Sequence, residues 1–362
     1  MRILTVVGAR PQFIKAAVVS RELRRRSDAK EILLHTGQHF DDNMSDVFFR
    51  ELDIPKPDYQ LDIHGGGHGE MTGRMLAGIE SVLIQERPNM VLVYGDTNST
   101  LAGALASVKM RIPVAHVEAG LRSFNRAMPE EINRVLTDHA ADILFSPTST
   151  ATRHLLNEGI APANIHQVGD VMFDAAIFYS NKAKQESDVI DRLGLSRRGY
   201  ILTTLHRAEN TDNPDRLIAI LNNLNAAAMV LPVILPLHPR TRQAMEKLNG
   251  ISLNPLIHVI EPVGYLDMVM LEENARVIVT DSGGVQKEAY FHRVPCLTVR
   301  DETEWTELVE CGWNKIVGVD AEKFSRSLAQ AMAGNPPEWR SDLYGSGQSA
   351  GLIIDILFSS AQ

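Results

Sequence analysis

Short runs of β-branched residues alternate with longer segments of helical period along this chain, and the pattern occurs twice. Such alternation predicts βαβ units, in which parallel strands form a sheet and helices cover its two faces. We predict strands at 3–7, 31–36, 90–94, 114–117, 143–145 and 165–168, and again at 200–204, 233–237, 257–259, 277–280 and 296–299. Helices are predicted at 12–26, 69–85, 99–109, 129–140, 214–229, 240–248, 265–273 and 285–291, and an amphipathic stretch at 174–193 separates the two series.

A length of 362 residues is enough for about two domains, each with its own core. We place the boundary near residue 170, which gives two doubly wound, Rossmann-like α/β domains at 1–170 and 171–344. Parallel sheets of this kind bind ligands at the carboxyl ends of their strands. The expected binding site is therefore a cleft that both domains face.

Charge and cysteine content limit the classes of function. The chain has 36 basic and 45 acidic residues, a formal net charge of -9, and its basic residues are dispersed, which argues against a nucleic-acid partner. Two cysteines, Cys296 and Cys311, are too few for a disulfide framework or a zinc site. No apolar run reaches the roughly 18 to 20 residues of a membrane span. We expect a cytoplasmic protein without a signal peptide or membrane insertion.

The first predicted strand is followed by Gly8-Ala9-Arg10-Pro11, a glycine turn that leads into a helix. This turn brings Arg10 and Lys15 close to helix-terminal N–H groups, and both features favour a bound anion. The alternative is that the two side chains are only solvated charges at a helix start.

Three carboxylates occupy comparable positions along the first half. Asp96 and Glu118 follow predicted strands, and Glu130 lies at the start of the next predicted helix. Because the strands of one sheet end at the same edge, these side chains can converge, as acid and base chemistry on two faces of a substrate ring requires. Each also has a structural alternative: Asp96 could satisfy loop N–H groups, Glu118 could pair with Arg122, and Glu130 could only stabilise its helix start.

In the second half, His206 and Arg207 follow the first predicted strand. His206 could act as a general acid or, with Arg207, bind phosphate; the alternative is a loop histidine whose hydrogen bonds go to the backbone.

The most specific signal is the segment 281–288, with the sequence DSGGVQKE. Gly283 and Gly284 allow backbone N–H groups to approach a ligand without Cβ atoms in the way, Ser282 adds a hydroxyl, and the following helix presents its positive end. Glu288, one turn later, can accept hydrogen bonds from two ribose hydroxyls. We predict a diphosphate site here; the alternative is a Gly-Gly turn with a serine cap.

The sequence supports neither a dinucleotide cofactor nor a metal. Residues 8–15 lack the GxGxxG pattern. His35 with His39 and His64 with His68 have i,i+4 spacing but no HExxH frame. We therefore expect no cofactor.

Taken together and in order, residues 8–11, 95–97, 116–122, 129–134 and 281–288 resemble motifs of the non-hydrolysing bacterial UDP-N-acetylglucosamine 2-epimerases. The resemblance extends over nearly the whole chain, as far as Tyr344-Gly345-Ser346-Gly347. It implies two Rossmann-like domains arranged as in the B-type glycosyltransferases (GT-B), a C-terminal helix at about 345–362 that packs back on the first domain, and a homodimer.

The resemblance also implies the reaction, an inversion at C2 of a UDP-sugar without NAD or metal. A base removes the C2 proton as UDP leaves C1, and the resulting glycal is protonated from the other face before UDP adds back. The acid and base candidates that it implies are Asp96, Glu118 and Glu130. The residues that it implies for stabilising the diphosphate or holding UDP are Arg10, Lys15, His206, Ser282, Gly283, Gly284 and Glu288.

Two segments depart from the family pattern, and one indicates a branch. Glu304-Trp305-Thr306-Glu307 stands where many members have Glu-Arg-Pro-Glu, so an arginine facing the sugar or phosphate is missing. Residues 38–44 differ from the family's Gln-His-Arg pattern near a regulatory substrate site, which argues against activation by UDP-N-acetylglucosamine. Residues 57–74 resemble the branch acting on UDP-2,3-diacetamido-2,3-dideoxyglucuronic acid, a precursor of O-antigen sugars.

Two other classes of function remain open at this point. A glycosyltransferase on the same fold would use a UDP-sugar and an acceptor. A sensor would bind a UDP-sugar without turnover.

Overall fold

The computed structural model describes residues 1–38, 52–54, 56–248, 252–340 and 342–360. The chain forms two compact units, one made of Met1–Ile177 with Arg340–Gln362 and the other of Phe178–Trp339. In the described ranges, no helix combines the length and the apolar composition needed to cross a membrane.

The elements follow one another in the alternating order that the sequence predicts. The strands are β1 Arg2–Val7, β2 Lys30–His35, β3 Tyr59–Gln60, β4 Met90–Tyr94, β5 Val114–Val117, β6 Ile143–Ser146, β7 Ile165–Gln167, β8 Ile201–Thr204, β9 Val233–Pro236, β10 Ile257–Ile260, β11 Val277–Thr280, β12 Cys296–Thr298 and β13 Asn314–Ile316. The helices are α1 Arg10–Arg24, α2 His68–Glu86, α3 Asn98–Lys109, α4 Pro129–Ala140, α5 Ser149–Asn157, α6 Val171–Glu186, α7 Val189–Arg192, α8 Ala208–Thr211, α9 Pro214–Ala228, α10 Pro239–Glu246, α11 Tyr265–Asn274, α12 Gly283–Phe291, α13 Thr306–Glu310, α14 Ala321–Met332 and α15 Ser349–Ser359, with a 3-10 turn at Pro162–Asn164.

Each unit contains one parallel sheet, so the predicted pair of doubly wound α/β sheets is confirmed. The first has the order β3-β2-β1-β4-β5-β6-β7 and the second the order β10-β9-β8-β11-β12-β13. In the first sheet the strand order reverses between β1 and β4, and in the second between β8 and β11. The loops that leave these four strands at their carboxyl ends are therefore the expected ligand positions.

The sheets are held by apolar side chains that face helices on both sides. In the first unit, β4 is buried along its whole length, and Met75, Ile79 and Leu83 of α2 join its core. In the second unit, α9 packs four buried side chains against β8, β9 and β11: Leu217, Ile220, Leu221 and Leu224. Near-continuous burial is typical of parallel strands with helices on both faces.

The last helix, α15, belongs to the first unit and packs on α1. Its start is fixed by Asp174, whose Oδ2 accepts a hydrogen bond from the N–H of Ala350 at 2.8 Å. Ile353 and Leu357 are fully buried on its inner face.

Candidate active site

The three carboxylates of the first unit lie where strands β4 and β5 end and α4 begins. Asp96 follows β4, Glu118 follows β5, and Glu130 is in the first turn of α4. Glu118 has a left-handed backbone with a φ of 71°, an uncommon conformation for a residue with a Cβ atom. Its own N–H and that of Ala119 both donate to the carbonyl oxygen of Phe145, which holds this turn.

The carboxylate of Glu118 pairs with the ammonium group of Lys15 from α1, and both side chains are buried. The pair lies against Gly95, where a Cβ atom would be 3.3 Å from Lys15 Nζ and 3.5 Å from Glu118 Oε2. The alternative that Lys15 is a solvated charge is therefore wrong. The alternative ion pair of Glu118 with Arg122 is also wrong, because Arg122 is paired with Asp138 and Glu158.

Asp96 is held by two side chains of α4. Its Oδ2 accepts a hydrogen bond from Nη2 of Arg134 at 2.5 Å, and its backbone carbonyl accepts one from Asn133 Nδ2 at 3.0 Å. About a third of the Asp96 side chain remains exposed. The loop is thus fixed while the carboxylate keeps an open side.

The adjacent residues Glu130 and Glu131 have different surroundings. Glu131 is buried, pairs with Arg134, and accepts hydrogen bonds from the N–H groups of Ser123 and Phe124 at 3.0 and 2.9 Å. Burial acts to raise the pKa of Glu131, but these donors and the charge of Arg134 hold it below its ordinary value. Glu130 is half-buried and makes no hydrogen bond or ion pair with the residues that the structure describes. It is the more available of the two for a substrate.

The turn after β1 differs from the expected anion site. The N–H groups of Gly8 and Ala9 both donate to Oε1 of Gln12, at 2.8 and 3.0 Å, so these two amides are already used within the protein. The amide of Gln12 in turn donates to the carbonyl of Tyr94 at 2.9 Å. The turn therefore ties the β1 and β4 loops together. The side chain of Arg10 lies outside the described part of the structure.

In the second unit, the buried carboxylate of Asp281 organises the loop after β8. It accepts hydrogen bonds from the N–H groups of His206 and Arg207 at 3.1 and 3.0 Å and from Asn210 Nδ2 at 3.1 Å. Burial acts to raise the pKa of this carboxyl, but His206, Arg207 and Asn210 together lower it below the ordinary value. Asp281 is the first residue of the 281–288 motif, and the sequence alone does not indicate this role.

The same carboxylate orients the ring of His206. Nδ1 of His206 lies 3.2 Å from Asp281 Oδ1, and the side chain is 40% exposed. Its Nε2 and the guanidinium of the half-buried Arg207 have no hydrogen-bond or charge partner among the described residues. Both groups can therefore contact a ligand, the Arg207 guanidinium as a donor and Nε2 of His206 as an acceptor in the neutral ring or a donor in the protonated one.

The diphosphate loop of the sequence analysis forms the start of α12. Ser282 is the N-cap, and its Oγ accepts a hydrogen bond from the N–H of Val285 at 3.4 Å. The N–H groups of Gly283 and Gly284 donate to no acceptor within the described residues. Such N–H groups at a helix start are suited to an anion.

The two glycines have different requirements. A Cβ atom at Gly283 would overlap Oε1 of Glu304. At Gly284 the nearest atoms to a Cβ would be Glu288 Oε2 and Ser282 Oγ, both at 3.9 Å. The protein itself thus has room for a side chain at Gly284, and a substitution there tests ligand binding with little effect on folding.

Glu288 is buried one turn into α12, and its Oε1 accepts a hydrogen bond from the hydroxyl of Tyr265 at 3.4 Å. Glu272 lies nearby. Burial, with the charge of Glu288, raises the pKa of Glu272 well above its ordinary value.

Trp305, which stands where the family resemblance predicts an arginine, is buried beside the diphosphate loop. Its Nε1 would lie 3.6 Å from a Cβ atom at Gly283, and Lys287 Nζ lies 4.1 Å from its ring centroid. The other departing segment, 38–44, lies outside the described residues except for Gln38.

Within the described ranges, no cluster of three or more His, Cys, Asp or Glu side chains could hold a metal ion.

The chain is similar to known proteins over nearly its whole length. The chain matches the sequence model of the UDP-N-acetylglucosamine 2-epimerase family over residues 21–358. The UDP-2,3-diacetamido-2,3-dideoxy-D-glucuronate 2-epimerase of Pseudomonas aeruginosa is 55% identical over 361 residues, with 99% of both chains covered. The UDP-N-acetylglucosamine 2-epimerase of Escherichia coli is 34% identical over 381 residues, covering 99% of this chain and 98% of that one.

A solved structure of the Methanocaldococcus jannaschii UDP-GlcNAc 2-epimerase in complex with UDP-GlcNAc and UDP has a TM-score of 0.91 to this chain. The two are 44% identical, and the match covers 99% of this chain and 100% of that one. This likeness confirms the predicted fold class.

We predict that Asp281→Asn lowers the stability of the second unit at neutral pH. Folding lowers the pKa of Asp281, so its contribution is present above the unfolded-state value, about 3.9, and is lost as the pH falls through the lower folded-state value. All three tryptophans, Trp305, Trp313 and Trp339, lie in the second unit. Urea unfolding followed by tryptophan fluorescence therefore measures the stability of the second unit.

The stability difference between wild type and Asp281→Asn should be large at pH 7 and narrow below about pH 4. Asp191→Asn, at an exposed position of α7 in the same unit, is the matched control. A difference that stays constant with pH, or equals that of the control, would show that Asp281 does not hold this loop as a carboxylate.

Proposed function

Because the chain belongs to the UDP-N-acetylglucosamine 2-epimerase family, we propose that it inverts C2 of a UDP-sugar by eliminating UDP and adding it back. Its relatives are epimerases, so the prediction of an isomerase acting on a UDP-sugar is confirmed. The observation that carries the mechanism is the contrast between two carboxylates of the first unit. Glu118 is paired with Lys15, whereas Glu130 has no partner among the described residues.

The chemistry explains why two different carboxylates are needed. C2 of such a sugar is not next to a carbonyl group, so direct loss of its proton would leave a carbanion without resonance stabilisation. Loss of UDP from C1 in the same step removes this difficulty. The ion pair with Lys15 stabilises Glu118 as a carboxylate, the form that a base requires. Glu130, without a cationic partner, is suited to carry a proton.

The two carboxylates then act on opposite faces of the sugar, and their roles exchange when the reaction runs backwards. Asp96, fixed by Arg134 and open on one side, is the third candidate for proton transfer. Since elimination and readdition of UDP move a proton and no hydride, we propose that the reaction needs no NAD, and also that it needs no metal and proceeds in the presence of a chelator.

We propose that the second unit binds UDP. The N–H groups of Gly283 and Gly284 would hold the diphosphate with the hydroxyl of Ser282, and Glu288 would accept hydrogen bonds from the ribose. Nε2 of His206 and the guanidinium of Arg207 would stabilise the charge that develops on the leaving UDP. Lys15 and Arg10 are the corresponding candidates in the first unit.

For the sugar, we propose UDP-2,3-diacetamido-2,3-dideoxy-D-glucuronate. The relative with this substrate is 55% identical over 99% of the chain. Trp305 also replaces an arginine of many family members beside the diphosphate loop. We further infer that the enzyme works in the cytoplasm, where nucleotide-sugars for O-antigen and other surface polysaccharides are made.

We predict that the purified enzyme, incubated with this substrate in deuterated water, incorporates deuterium at C2 of the UDP-sugar and yields the manno epimer. The proton lost from C2 exchanges with solvent on the protein, so the incoming hydron comes from deuterated solvent. Mass spectrometry and proton NMR of the recovered UDP-sugars measure both outcomes.

The experiment includes UDP-N-acetylglucosamine as a second substrate. Faster exchange with UDP-N-acetylglucosamine would contradict the narrower substrate. Binding without exchange in either sugar would contradict the epimerase function and point to a sensor, and release of UDP only when an acceptor is added would point to a transferase.

We predict that Glu118→Gln and Glu130→Gln lower turnover by about 100-fold or more, with only a modest loss of UDP affinity. Gly284→Val should instead weaken UDP binding, because its side chain occupies the space in front of the loop N–H groups. Steady-state kinetics and calorimetric titration with UDP separate the two effects.

Glu131→Gln is the matched control for Glu130→Gln. It should lower stability, because Glu131 pairs with Arg134 and holds the loop at 123–124. If Glu130→Gln and Gly284→Val both changed only affinity, the roles given to the two units would be wrong.

We also propose that the protein is a homodimer. Ile132 and Leu136 of α4, four residues apart, are 42% and 47% exposed, and Ile84 of α2 is 59% exposed. These exposed apolar side chains of the first unit support a face that a second copy of the chain covers.

Sedimentation equilibrium should give twice the chain mass of 40.1 kDa. Leu136→Glu should shift it to the monomer, whereas Met229→Glu, at a 77% exposed position, should not. A wild-type mass of one chain would contradict the proposal.

A further inference from the structure

His116 is a buried histidine on β5 that contacts the Asp96 loop directly and is linked to the Glu118 loop through Asp138. Its Nε2 lies 2.7 Å from the backbone oxygen of Gly95, the residue before Asp96. Its Nδ1 lies 2.7 Å from Oδ1 of Asp138. The side chains of His116 and Asp138 are both inaccessible to solvent.

The hydrogen bonds define what each ring nitrogen of His116 faces. A carbonyl oxygen can only accept, so Nε2 carries a hydrogen and donates it to Gly95. Burial acts to raise the pKa of Asp138, but His116 and Arg122 hold it below its ordinary value, so this carboxyl is ionised and also accepts. Both ring nitrogens of His116 therefore face oxygen acceptors, and the ring is held at its two ends.

The second oxygen of Asp138 extends the link to the other loop. Oδ2 accepts a hydrogen bond from the N–H of Gly120 at 3.0 Å, two residues after Glu118, and another from Arg122 Nη1 at 2.7 Å. His116 and Asp138 thus join the Gly95 end of one loop to the Gly120 end of the other through charge-assisted hydrogen bonds, which are the stronger kind.

Helix α4 brings these contacts together. Glu130, Arg134 and Asp138 are spaced four residues apart and lie on one face of the helix. Glu130 is a proposed acid or base, Arg134 holds Asp96, and Asp138 holds His116 and Gly120. One helix therefore carries Glu130 and holds the loops of Asp96 and Glu118, and within the described residues His116 links Asp138 of that helix to Gly95.

We propose that His116 is a positioning residue that sets the separation of the Asp96 and Glu118 carboxylates without touching the substrate. This inference rests on the epimerase function proposed above. A glycal must receive its proton on the second face before it leaves the enzyme. If the two carboxylates are misplaced relative to each other, reprotonation slows while UDP binding, in the other unit, is unchanged.

The test compares His116→Asn and His116→Gln with His166→Asn. His166 lies on β7 of the same sheet, and its ring makes no hydrogen bond to the described residues. Asparagine cannot reach both partners, and glutamine can keep one of them. For each variant we measure turnover, UDP affinity, the thermal unfolding midpoint, and the ratio of released glycal plus UDP to epimer formed.

We expect His116→Asn to lower turnover by about 10- to 100-fold, with UDP affinity within about twofold of wild type, and to raise the share of glycal released. His116→Gln should recover part of the turnover, and His166→Asn should behave as wild type. If His116 serves only stability, its variants should change the thermal unfolding midpoint without changing the share of glycal that is released.

The outcomes distinguish a failure of the proposed epimerase function from a failure of the positioning role of His116. If wild type exchanges no deuterium at C2, the proposed function fails. If wild type exchanges and His116→Asn releases no more glycal than His166→Asn does, or loses UDP affinity and turnover equally, the positioning role is overturned. It is also overturned if neither His116 variant folds, since His116 would then serve folding.

Discussion

The buried charges at the carboxyl edge of the first sheet are the constraint on which the proposed site depends. A carboxylate removed from water is costly unless a cation or hydrogen-bond donors compensate for it. Lys15 compensates Glu118, Arg134 compensates Asp96 and Glu131, and His116 with Arg122 compensates Asp138. Glu130 stands apart from these pairs. One face of α4 therefore supplies both the scaffold and one reactive group.

In the proposed mechanism the second unit has a different task, which is to retain the leaving group. Asp281 fixes the loop of His206 and Arg207, while the N–H groups of Gly283 and Gly284 donate to no acceptor among the described residues. After the bond between C1 and oxygen breaks, the same UDP must remain until it adds back. A loop that released UDP early would turn an epimerase into a hydrolase, so affinity for the free nucleotide is part of the proposed mechanism.

Much of this architecture could be predicted from the sequence. Strands 90–94, 114–117 and 277–280 have the predicted bounds, because each is a short, fully buried and mostly apolar run that ends at a polar loop. β3 and β13 were missed, since edge strands of two and three residues leave no periodic signal. Helices α5 and α14 were also missed.

The contacts of the site were harder to predict than its residues. Glu118 has Arg122 as a neighbour in sequence but pairs with Lys15, because its left-handed backbone turns the side chain toward α1. Sequence analysis also names Glu130 as a candidate without a role for its neighbour Glu131, and only the fold shows that Glu131 pairs with Arg134. The use of the Gly8 and Ala9 N–H groups by Gln12 likewise depends on packing between loops distant in sequence.

The central claim is that the bond between C1 and the UDP oxygen breaks and forms again in every inversion. Positional isotope exchange tests it directly, with a UDP-sugar that carries a heavy oxygen isotope in the bridge between C1 and the β-phosphorus. The account predicts that the label moves into non-bridging positions of the β-phosphate as the epimer forms. Epimer that forms with all of the label still in the bridge would contradict it.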